Sequence, residues 1–284
     1  MQTNIELKEF LRSRRDRLSA DETVAVGAGP RRVPGLRREE VARLAGVSVD
    51  YYARLEQGRN LNVSDEVIAA VGRALRLDDV EHAHLARLVR RDRIRGRCPG
   101  TVQRVRHSVR TLLRSLDTAG CPAFVFGRRM DVLAGNRLGA ALVTDFDTRP
   151  RRDRNMLRYV FLDPAAQTLY TDWDDVARES VAILRLDAGR HPDDPLLTEL
   201  VDDLAARSPE FRRWWAAADV RERSHGTKSY HHPLVGDLTV DYECLTLPAD
   251  PDQTLCVYTP RPGSPSADAI RLLAGLTIAP SGLS

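Results

Sequence analysis

The sequence predicts two domains, an all-α bundle of about five helices followed by an α+β domain with an antiparallel sheet. Its 284 residues are enough for two ordinary domains. Helical patterns with short breaks continue to about residue 94, and Cys98-Pro99-Gly100 then interrupts them. Apolar and polar residues alternate over 238–244, which indicates a strand with one buried and one wet face. We expect three parts: a helical domain at 1–97, a linker and connector helix at 98–120, and the α+β domain at 121–284.

The composition is that of a globular protein without a membrane span. Hydrophobic residues make up 42% of the chain and charged residues 29%. No apolar stretch approaches the roughly 18 residues of a membrane helix, and the charged first twenty residues argue against a secretion signal. The four cysteines are scattered without a CxxC pair, a spacing typical of neither a zinc site nor a disulfide framework. We therefore expect a reducing, cytoplasmic location, with Cys244 and Cys256 as small buried hydrophobes on neighbouring strands.

The charge is unevenly distributed along the chain. Residues 1–114 hold 24 Lys and Arg against 15 Asp and Glu, a net charge of +9, whereas residues 115–284 carry −6. The basic front half suggests a polyanionic partner. Arginine supplies 41 of the 43 basic residues, which either codon bias in a GC-rich genome or selection for guanidinium chemistry would explain.

Five helices are predicted in the front domain, at 5–18, 37–45, 49–57, 64–76 and 79–94. Three glycines and two prolines make 19–35 a loop. Asn62 and Ser64 are the two candidates for the N-cap of the fourth helix.

Residues 37–57 (RREEVARLAGVSVDYYARLEQ) have the spacing of a helix-turn-helix. Ala42 is small where two helices would cross, Gly46 can take the left-handed conformation of a sharp turn, and Ser48 can cap the next helix. The residues expected to face inward are Val41, Ala45, Val47, Tyr52 and Leu55. Two amphipathic helices of any bundle would share part of this pattern. The whole set predicts a second helix that is free to enter a DNA major groove.

The stretch LRREEVARLAGVSVDYYARLEQGR resembles the XRE family of lambda-repressor-like helix-turn-helix regulators, over roughly residues 5–90. The resemblance implies double-stranded DNA as the partner and a recognition helix that begins near Ser48. Val49 on a thymine methyl, Asp50 accepting from cytosine N4 and Arg54 donating to guanine or phosphate are the implied base contacts. Tyr51 would touch backbone or a methyl group. Candidates for phosphate contacts are Arg37, Arg38 (where the family usually has glutamine) and Arg59.

The rear half alternates between strand and helix patterns. Strands are predicted at 123–126, 130–134, 228–232, 238–247 and 254–259, with helices at 136–143, 152–161, 172–187, 194–206, 209–218 and 265–275. Two strands before and three after a helical middle leave a space between helices and sheet. The connector helix, at 101–118, has apolar residues at heptad-like spacing: Val102, Val105, Val109, Leu112 and Leu116. This stripe fits either a short coiled-coil seam or burial on the same domain.

Several phrases of the rear half resemble the ligand-binding domain of MmyB-like transcription regulators, over about residues 105–275. They include GRRMDVLAGNRLGAAL, NMLRYVFLDPAAQTLYTDWDDVARESVAILR, RSPEFRRWWAAADV and HHPLVGDLTVDYECLTLP. The resemblance implies a PAS-like fold that senses a small apolar ligand, and a fatty acid is the ligand it suggests. Gly135 stands where tryptophan is common in the family, and a missing indole would enlarge a cavity or alter its specificity.

A fatty-acid site needs an apolar tunnel and one polar anchor for the carboxylate. The wall candidates are Phe124, Phe126, Val132, Phe161, Trp173, Val176, Ile183, Phe211, Trp214 and Tyr242, each of which would equally serve as ordinary core. The anchor candidates are Asn136, Arg185, Arg207 and His231, each of which would equally have a structural role.

Three hypotheses about function remain, and we favour the first. It is a homodimeric DNA-binding transcription regulator whose rear domain binds a small apolar ligand and modulates operator binding, with no cofactor, metal or membrane. In the second, the rear domain only dimerises or docks a protein partner. The third is an enzyme, for which the sequence lacks GxGxxG, P-loop, GxSxG and HExxH motifs and offers only the acid pair Asp241 and Glu243.

Overall fold

The computed structural model describes residues 5–18, 35–59, 63–89, 103–222 and 224–278. The chain forms two compact units. Unit 1 comprises Met1–Cys98, Arg185–Asp193 and Arg213–Glu222, and unit 2 comprises Pro99–Leu184, Asp194–Arg212 and Arg223–Ser284. The predicted fold class, an all-α part followed by an α+β part with an antiparallel sheet, is confirmed. Within the described ranges, every helix is too short or too polar to cross a membrane.

The front of unit 1 is a helical bundle whose helices match the predicted pattern. They are α1 (Ile5–Arg17), α2 (Arg38–Ala45), α3 (Val49–Glu56), α4 (Asp65–Ala74) and α5 (Asp79–Val89). Ser64 caps α4, and its hydroxyl accepts from the Val67 N–H at 3.4 Å; Asn62, the other candidate, lies outside the described residues. Phe10, Tyr52 and Leu85 are among the fully buried side chains of a core to which all five helices contribute.

Unit 1 also contains two later segments, Arg185–Asp193 and Arg213–Glu222. From the sequence we expected both segments in the rear domain. Leu186 and Val220 join the apolar core of the bundle. Arg14, only 1% exposed, donates to the Ala218 carbonyl at 2.5 Å and to the Asp219 carboxylate at 3.1 Å. A buried guanidinium requires such partners because its charge is otherwise costly to desolvate.

Unit 2 combines one antiparallel sheet with helices. The described strands are β1 (Ala123–Phe126), β2 (Val132–Gly135), β3 (His225–His232), β4 (Gly236–Leu247) and β5 (Asp250–Thr259), in the order β2-β1-β5-β4-β3. The helices with residues in this unit are α6 (His107–Thr118), α7 (Arg137–Leu142), α8 (Met156–Leu162), α9 (Pro164–Leu169), α10 (Trp173–Arg190), α11 (Pro195–Arg207), α12 (Pro209–Ala216) and α13 (Pro265–Ile278).

Element boundaries differ from the predictions where capping residues intervene. The predicted helix at 152–161 is a 3-10 turn at Arg151–Asp153 followed by α8, because the Asn155 side chain accepts from the Arg158 N–H at 3.1 Å and starts the helix there. The strands β3 and β5 begin three to four residues earlier than predicted, where the β4 ladder continues to pair them.

The connector helix α6 buries its apolar stripe on its own unit. Val109 and Leu113 of α6, with Val105 just before the helix, pack against β1, β2 and β5 residues in a small core. Leu112 is 44% exposed, and Val102 lies outside the described residues. Burial on the same domain, the second of the two alternatives, therefore accounts for this part of the pattern.

The cysteine prediction was wrong in one respect. Cys244 on β4 and Cys256 on β5 are directly opposite each other in the ladder and form a disulfide, with their Cα atoms 4.2 Å apart. The twelve-residue spacing has no CxxC character, so only the strand register reveals that the pair can meet.

Candidate functional site

The turn between α2 and α3 explains the glycine in the helix-turn-helix pattern. Gly46 has φ +67°, in the left-handed region, and its N–H donates to the Arg43 carbonyl at 3.2 Å. The next N–H, of Val47, donates to the Ala42 carbonyl at 3.0 Å, which closes the end of α2. No atom lies within 4 Å of an added Cβ at Gly46, so backbone conformation rather than space requires glycine here.

Helix α3 has one buried and one exposed face. Ser48 caps it, and the serine hydroxyl accepts from the Tyr51 N–H at 3.1 Å. Tyr52 and Leu55 are buried in the bundle core, as expected from the sequence. The exposed face carries the three predicted base-reading side chains, Val49, Asp50 and Arg54.

Asp50 and Arg54 form an ion pair one turn apart on α3, while their side chains remain 72% and 57% exposed. The pairing holds the guanidinium near the helix surface and offers an acceptor and a donor side by side. Such a combination suits the edges of a C·G base pair, where cytosine N4 donates and guanine O6 and N7 accept. The pair is therefore suited to direct base recognition.

Arg38 has a structural partner as well as an exposed face. Its Nε donates to Glu56, a carboxylate only 2% exposed, which also accepts from the Nε of Arg15 at 2.8 Å. Burial, with the Glu56 charge nearby, raises the pKa of the Tyr52 phenol. Because half of the Arg38 side chain remains exposed, a phosphate contact would have to share the guanidinium with Glu56.

The other predicted DNA contacts lie around the same helix pair. Arg37, the residue before α2, is exposed, and its backbone N–H donates to the Glu40 carboxylate at 2.6 Å in a helix cap. Arg59 is exposed just beyond α3, and Tyr51 is half-buried. These positions are compatible with backbone contacts, and their roles stay predictions.

Unit 2 contains a cavity between helix α10 and the sheet. Its lining residues are mostly apolar or aromatic: Phe126, Met130, Met156, Val160, Tyr170, Val176, Glu179, Ser180, Ile183, Lys228, Tyr242, Cys244, Cys256 and Tyr258. The cavity volume is about 20 Å³, room for about one water molecule. A larger ligand would therefore have to displace side chains of the wall.

The charged residues of the cavity wall are Lys228 on β3 and Glu179 on α10, each with 17% of its side chain exposed. The Lys228 Nζ lies 3.9 Å from the Glu179 Oε2 and 5.1 Å from the centre of the Tyr242 ring. The Tyr242 hydroxyl donates to the Glu179 Oε1 at 3.1 Å. The three side chains thus form a polar group in an otherwise largely apolar wall.

Four of the predicted wall residues line this cavity: Phe126, Val176, Ile183 and Tyr242. The other predicted wall residues do not line it and are buried elsewhere or only partly exposed: Phe124, Val132, Phe161, Trp173, Phe211 and Trp214. Phe124 stacks edge-on against Phe146 and Tyr258, with ring centres 5.9 Å and 6.4 Å away. The Phe124 ring also fills the space above Gly135, where an added Cβ would meet it at 2.8 Å, so the missing indole leaves no enlarged cavity there.

The predicted anchors also lie away from this cavity. Asn136 caps α7 and bonds to the backbone of Gly139, Ala123 and Cys121, so its amide already has a structural role. Arg185 belongs to unit 1, where it pairs with Glu9 and stacks 4.4 Å from the Trp215 ring. The remaining two anchors are exposed and paired with carboxylates: Arg207 with Asp203 at 3.6 Å, and His231 with Asp237 at 2.5 Å.

The sequence analysis did not predict Lys228 and Glu179 as site residues, although both are unusual in the sequence. Lys228 is one of only two lysines, the other being Lys8. Glu179 and Ser180 interrupt the apolar stripe that Val176 and Ile183 define on α10, and polar residues on a buried face usually have a specific role. Within the described residues, no cluster of His, Cys, Asp and Glu is arranged to hold a metal.

Comparison with known families is consistent with this geometry. Residues 6–85 match a helix-turn-helix domain, and residues 105–273 match the MmyB-like transcription regulator ligand binding domain. Curated proteins give no match to the chain. Both matching domains are those of transcription regulators rather than enzymes. The chain belongs to the MmyB-like family of transcription regulators, with an N-terminal helix-turn-helix for DNA and a C-terminal domain for a small-molecule ligand.

Proposed function

We propose that unit 2 binds an amphiphile with an apolar body and an anionic head group, a fatty acid being the first candidate, and that binding changes affinity for operator DNA. The observation that carries this proposal is the position of Lys228, a basic side chain within a wall of aromatic and aliphatic residues. The strand order β2-β1-β5-β4-β3, with helices inserted between β2 and β3, supports the PAS-like fold that the family resemblance implies.

We propose Lys228 as the residue that contacts the anionic head group of the ligand. Its ammonium group carries a full positive charge and lies 3.9 Å from the Glu179 Oε2, which is an ion-pair distance rather than a hydrogen bond. The Tyr242 hydroxyl stabilises Glu179 independently by donating to its other oxygen. A ligand carboxylate at Lys228 would lie in a site of low exposure, where a charge-assisted hydrogen bond is stronger than in water and has to outweigh the like charge of Glu179.

The small cavity volume makes ligand binding a conformational event. About 20 Å³ cannot hold an acyl chain, so the wall must open. Met130 and Met156 are flexible, unbranched side chains that repack at low cost. A ligand that binds only the opened state shifts the population towards it by the difference between its two affinities.

Helix α10 offers a route from cavity to DNA-binding bundle. Val176, Glu179, Ser180 and Ile183 of this helix line the cavity. The last turns of α10, from Arg185 onward, belong to unit 1. We propose that rearrangement of the cavity wall is transmitted along α10, rather than along the connector helix alone.

The DNA-binding form is proposed to be a homodimer. One recognition helix contacts only a few base pairs, so two are needed for useful specificity. Their half-sites would be centred about 34 Å apart, one helical turn, or a multiple of it. Sedimentation of the full chain with and without DNA tests this stoichiometry directly.

Lys228→Met tests the head-group contact, because methionine keeps most of the side-chain length but removes the charge. We expect the affinity for a C16 fatty acid, measured by titration calorimetry, to fall about tenfold, since charge-assisted hydrogen bonds contribute about 1.5–3 kcal/mol. Affinity for its methyl ester should change little. Lys8→Met, at the exposed second lysine of the chain, is the matched control. Equal losses for acid and ester would remove Lys228 from the anchor role.

The second candidate function is a regulator whose rear domain only dimerises or docks a partner. Exposed leucines on α13, Leu272 at 56% and Leu276 at 49%, favour it because they follow one helix face. The two candidates differ in one experiment. If the purified protein retains no lipid in native mass spectrometry, and no fatty acid alters DNA affinity, the docking function is favoured.

A further inference from the structure

We propose that Cys244 and Cys256 form a reversible thiol–disulfide site in the cavity wall, with low-molecular-weight thiols and their disulfides as co-reactants. Both cysteines line the cavity described above. Their state would therefore set the shape of the space that a ligand has to enter. The inference rests on the proposed function only for the role of the cavity and for the compartment in which the protein acts.

The position of the pair in the ladder allows the disulfide to open without loss of the hairpin. The flanking residues already pair across the two strands, Glu243 with Val257 and Leu245 with Leu255. Backbone pairing thus continues on both sides of the disulfide, so the folded hairpin does not need the covalent bond to keep its register. The bond can therefore open and close while β4 and β5 stay paired, as a reversible site requires.

The working environment of a DNA-binding regulator supports the same conclusion. Such a protein acts where its DNA is, among reduced thiols, and disulfides found in reducing compartments are usually transient, catalytic or redox-sensing. A stable disulfide there has to resist the thiol pool, whereas a sensing pair exchanges with it. The pair is also separate from the remaining described cysteine, Cys121, which is free and lies before β1.

The order of the exchange steps follows from the exposure of the two cysteine residues. Cys256 is 1% exposed and Cys244 is half-buried, so an attacking thiolate reaches the Cys244 Sγ first. Its attack breaks the protein S–S bond and forms a mixed disulfide on Cys244, while the Cys256 sulfur leaves as a thiolate and takes up a proton. A second thiol then attacks the mixed disulfide. In sum, two small thiols are oxidised to one small disulfide and two protein thiols are formed.

The reduced pair requires more room than the oxidised pair. Two bonded sulfurs lie about 2 Å apart, whereas two thiols separate to ordinary van der Waals contact. In the wall of a cavity of only about 20 Å³, a displacement of this size changes the shape of the free space. Reduction should therefore move Tyr242 and Tyr258, the neighbours of the two cysteines on β4 and β5 that also line the cavity.

The test is a redox titration of the full-length protein. Samples are equilibrated in buffers of reduced and oxidised glutathione, quenched, and alkylated, and the cysteine peptides are measured by mass spectrometry. Affinity for the apolar fluorophore 8-anilinonaphthalene-1-sulfonate is measured on the fully reduced and fully oxidised forms. Cys121→Ser is the matched control, and a Cys244→Ala/Cys256→Ala double variant removes the site.

We expect both forms of the pair to be populated within the glutathione range, in the wild type and in Cys121→Ser alike. We also expect fluorophore affinity to differ about threefold or more between the forms, and to become independent of redox state in the double variant. A pair that stays oxidised in excess reduced glutathione, or never forms the disulfide, overturns the proposal. Reversible exchange with unchanged fluorophore affinity overturns the link to the cavity. If the double variant does not fold, the wild-type and Cys121→Ser titrations still decide.

This outcome is independent of the proposed function. The thiol titration requires neither lipid nor DNA, so its failure leaves the ligand-binding proposal intact. Conversely, a protein that binds no fatty acid can still show reversible exchange at Cys244 and Cys256.

Discussion

Arg54 donates to the carboxylate of Asp50 one turn earlier on the same exposed helix face. An exposed pair of this kind contributes little to stability, about 0.3–0.5 kcal/mol. Its consequence is geometric, since it places a donor and an acceptor side by side on the face that is predicted to meet DNA. The free energy gained on DNA binding must exceed the loss of this pairing if the two side chains separate.

Arg54→Ala should reduce affinity for operator DNA by about 1–3 kcal/mol and relax base preference at one position of each half-site. Fluorescence anisotropy with specific and random duplexes measures both effects. Arg271→Ala is the matched control, because Arg271 forms a similar exposed ion pair with Asp268 on α13 of unit 2. An equal loss on random and specific DNA would make Arg54 a phosphate contact.

Gly46→Ala should destabilise the helix-turn-helix through its backbone alone. A left-handed residue other than glycine costs about 1–2 kcal/mol, and the space around an added Cβ is open. Gly46→Asn should cost less, because asparagine tolerates this conformation. Urea unfolding of the three proteins gives the order wild type, Asn, Ala. Equal stabilities of the Ala variant and the wild type would contradict the strained turn.

Glu56→Ala should destabilise unit 1 by about 2–4 kcal/mol. The buried carboxylate is a shared partner of Arg15 and Arg38, and its removal leaves Arg15 only the Asp16 carboxylate and the Leu36 carbonyl as partners. Glu40→Ala, which removes an exposed capping contact at 2.6 Å, is the control and should cost about 1 kcal/mol or less. Similar small losses in both variants, measured by thermal or urea unfolding, would show that the buried network contributes little.

The stability of unit 1 should fall as the pH drops below 7. Burial and neighbouring arginines (Arg87, Arg185, Arg14 and Arg190) lower the pKa of His84 to about 3. In the unfolded chain a histidine has a pKa near 6.5, so between these values the unfolded state binds the extra proton. The free energy of unfolding should therefore decrease by about 2 kcal/mol from pH 7.5 to pH 5 on account of this residue.

Urea unfolding at several pH values tests the His84 effect. His84→Gln should flatten the pH dependence even if it lowers stability overall. His107→Gln, at an exposed position on α6, should leave the slope as in the wild type. Parallel pH dependences for the wild type and His84→Gln would contradict the assignment.

The sequence predicted local structure well where spacing and capping decide it. Gly46, Ser48, Tyr52 and Leu55 identified the helix-turn-helix because one motif of local contacts fixes all four. The contacts that depend on distant parts of the chain were missed. Arg185 fitted a ligand anchor by chemistry, yet the end of α10 packs in unit 1, where Glu9 is its partner.

The same limit explains the cavity and the disulfide. Phe126 and Phe124 are both buried aromatic residues on β1. Only the three-dimensional packing shows that Phe126 lines the cavity and Phe124 does not. Cys244 and Cys256 lie opposite each other because of the register between β4 and β5. A bulge near the end of the hairpin shifts that register, so the sequence alone does not fix it. Lys228 and Glu179 were detectable as unusual residues, but not as a pair.

A binding selection from random DNA duplexes tests the central claim most directly, with wild type and Arg54→Ala compared in parallel. We predict that the wild type enriches a motif of two related half-sites, and that the variant retains the motif but loses preference at one position in each half-site. Enrichment of no motif by the wild type, or of an identical motif by both proteins, would contradict base recognition by the exposed face of α3.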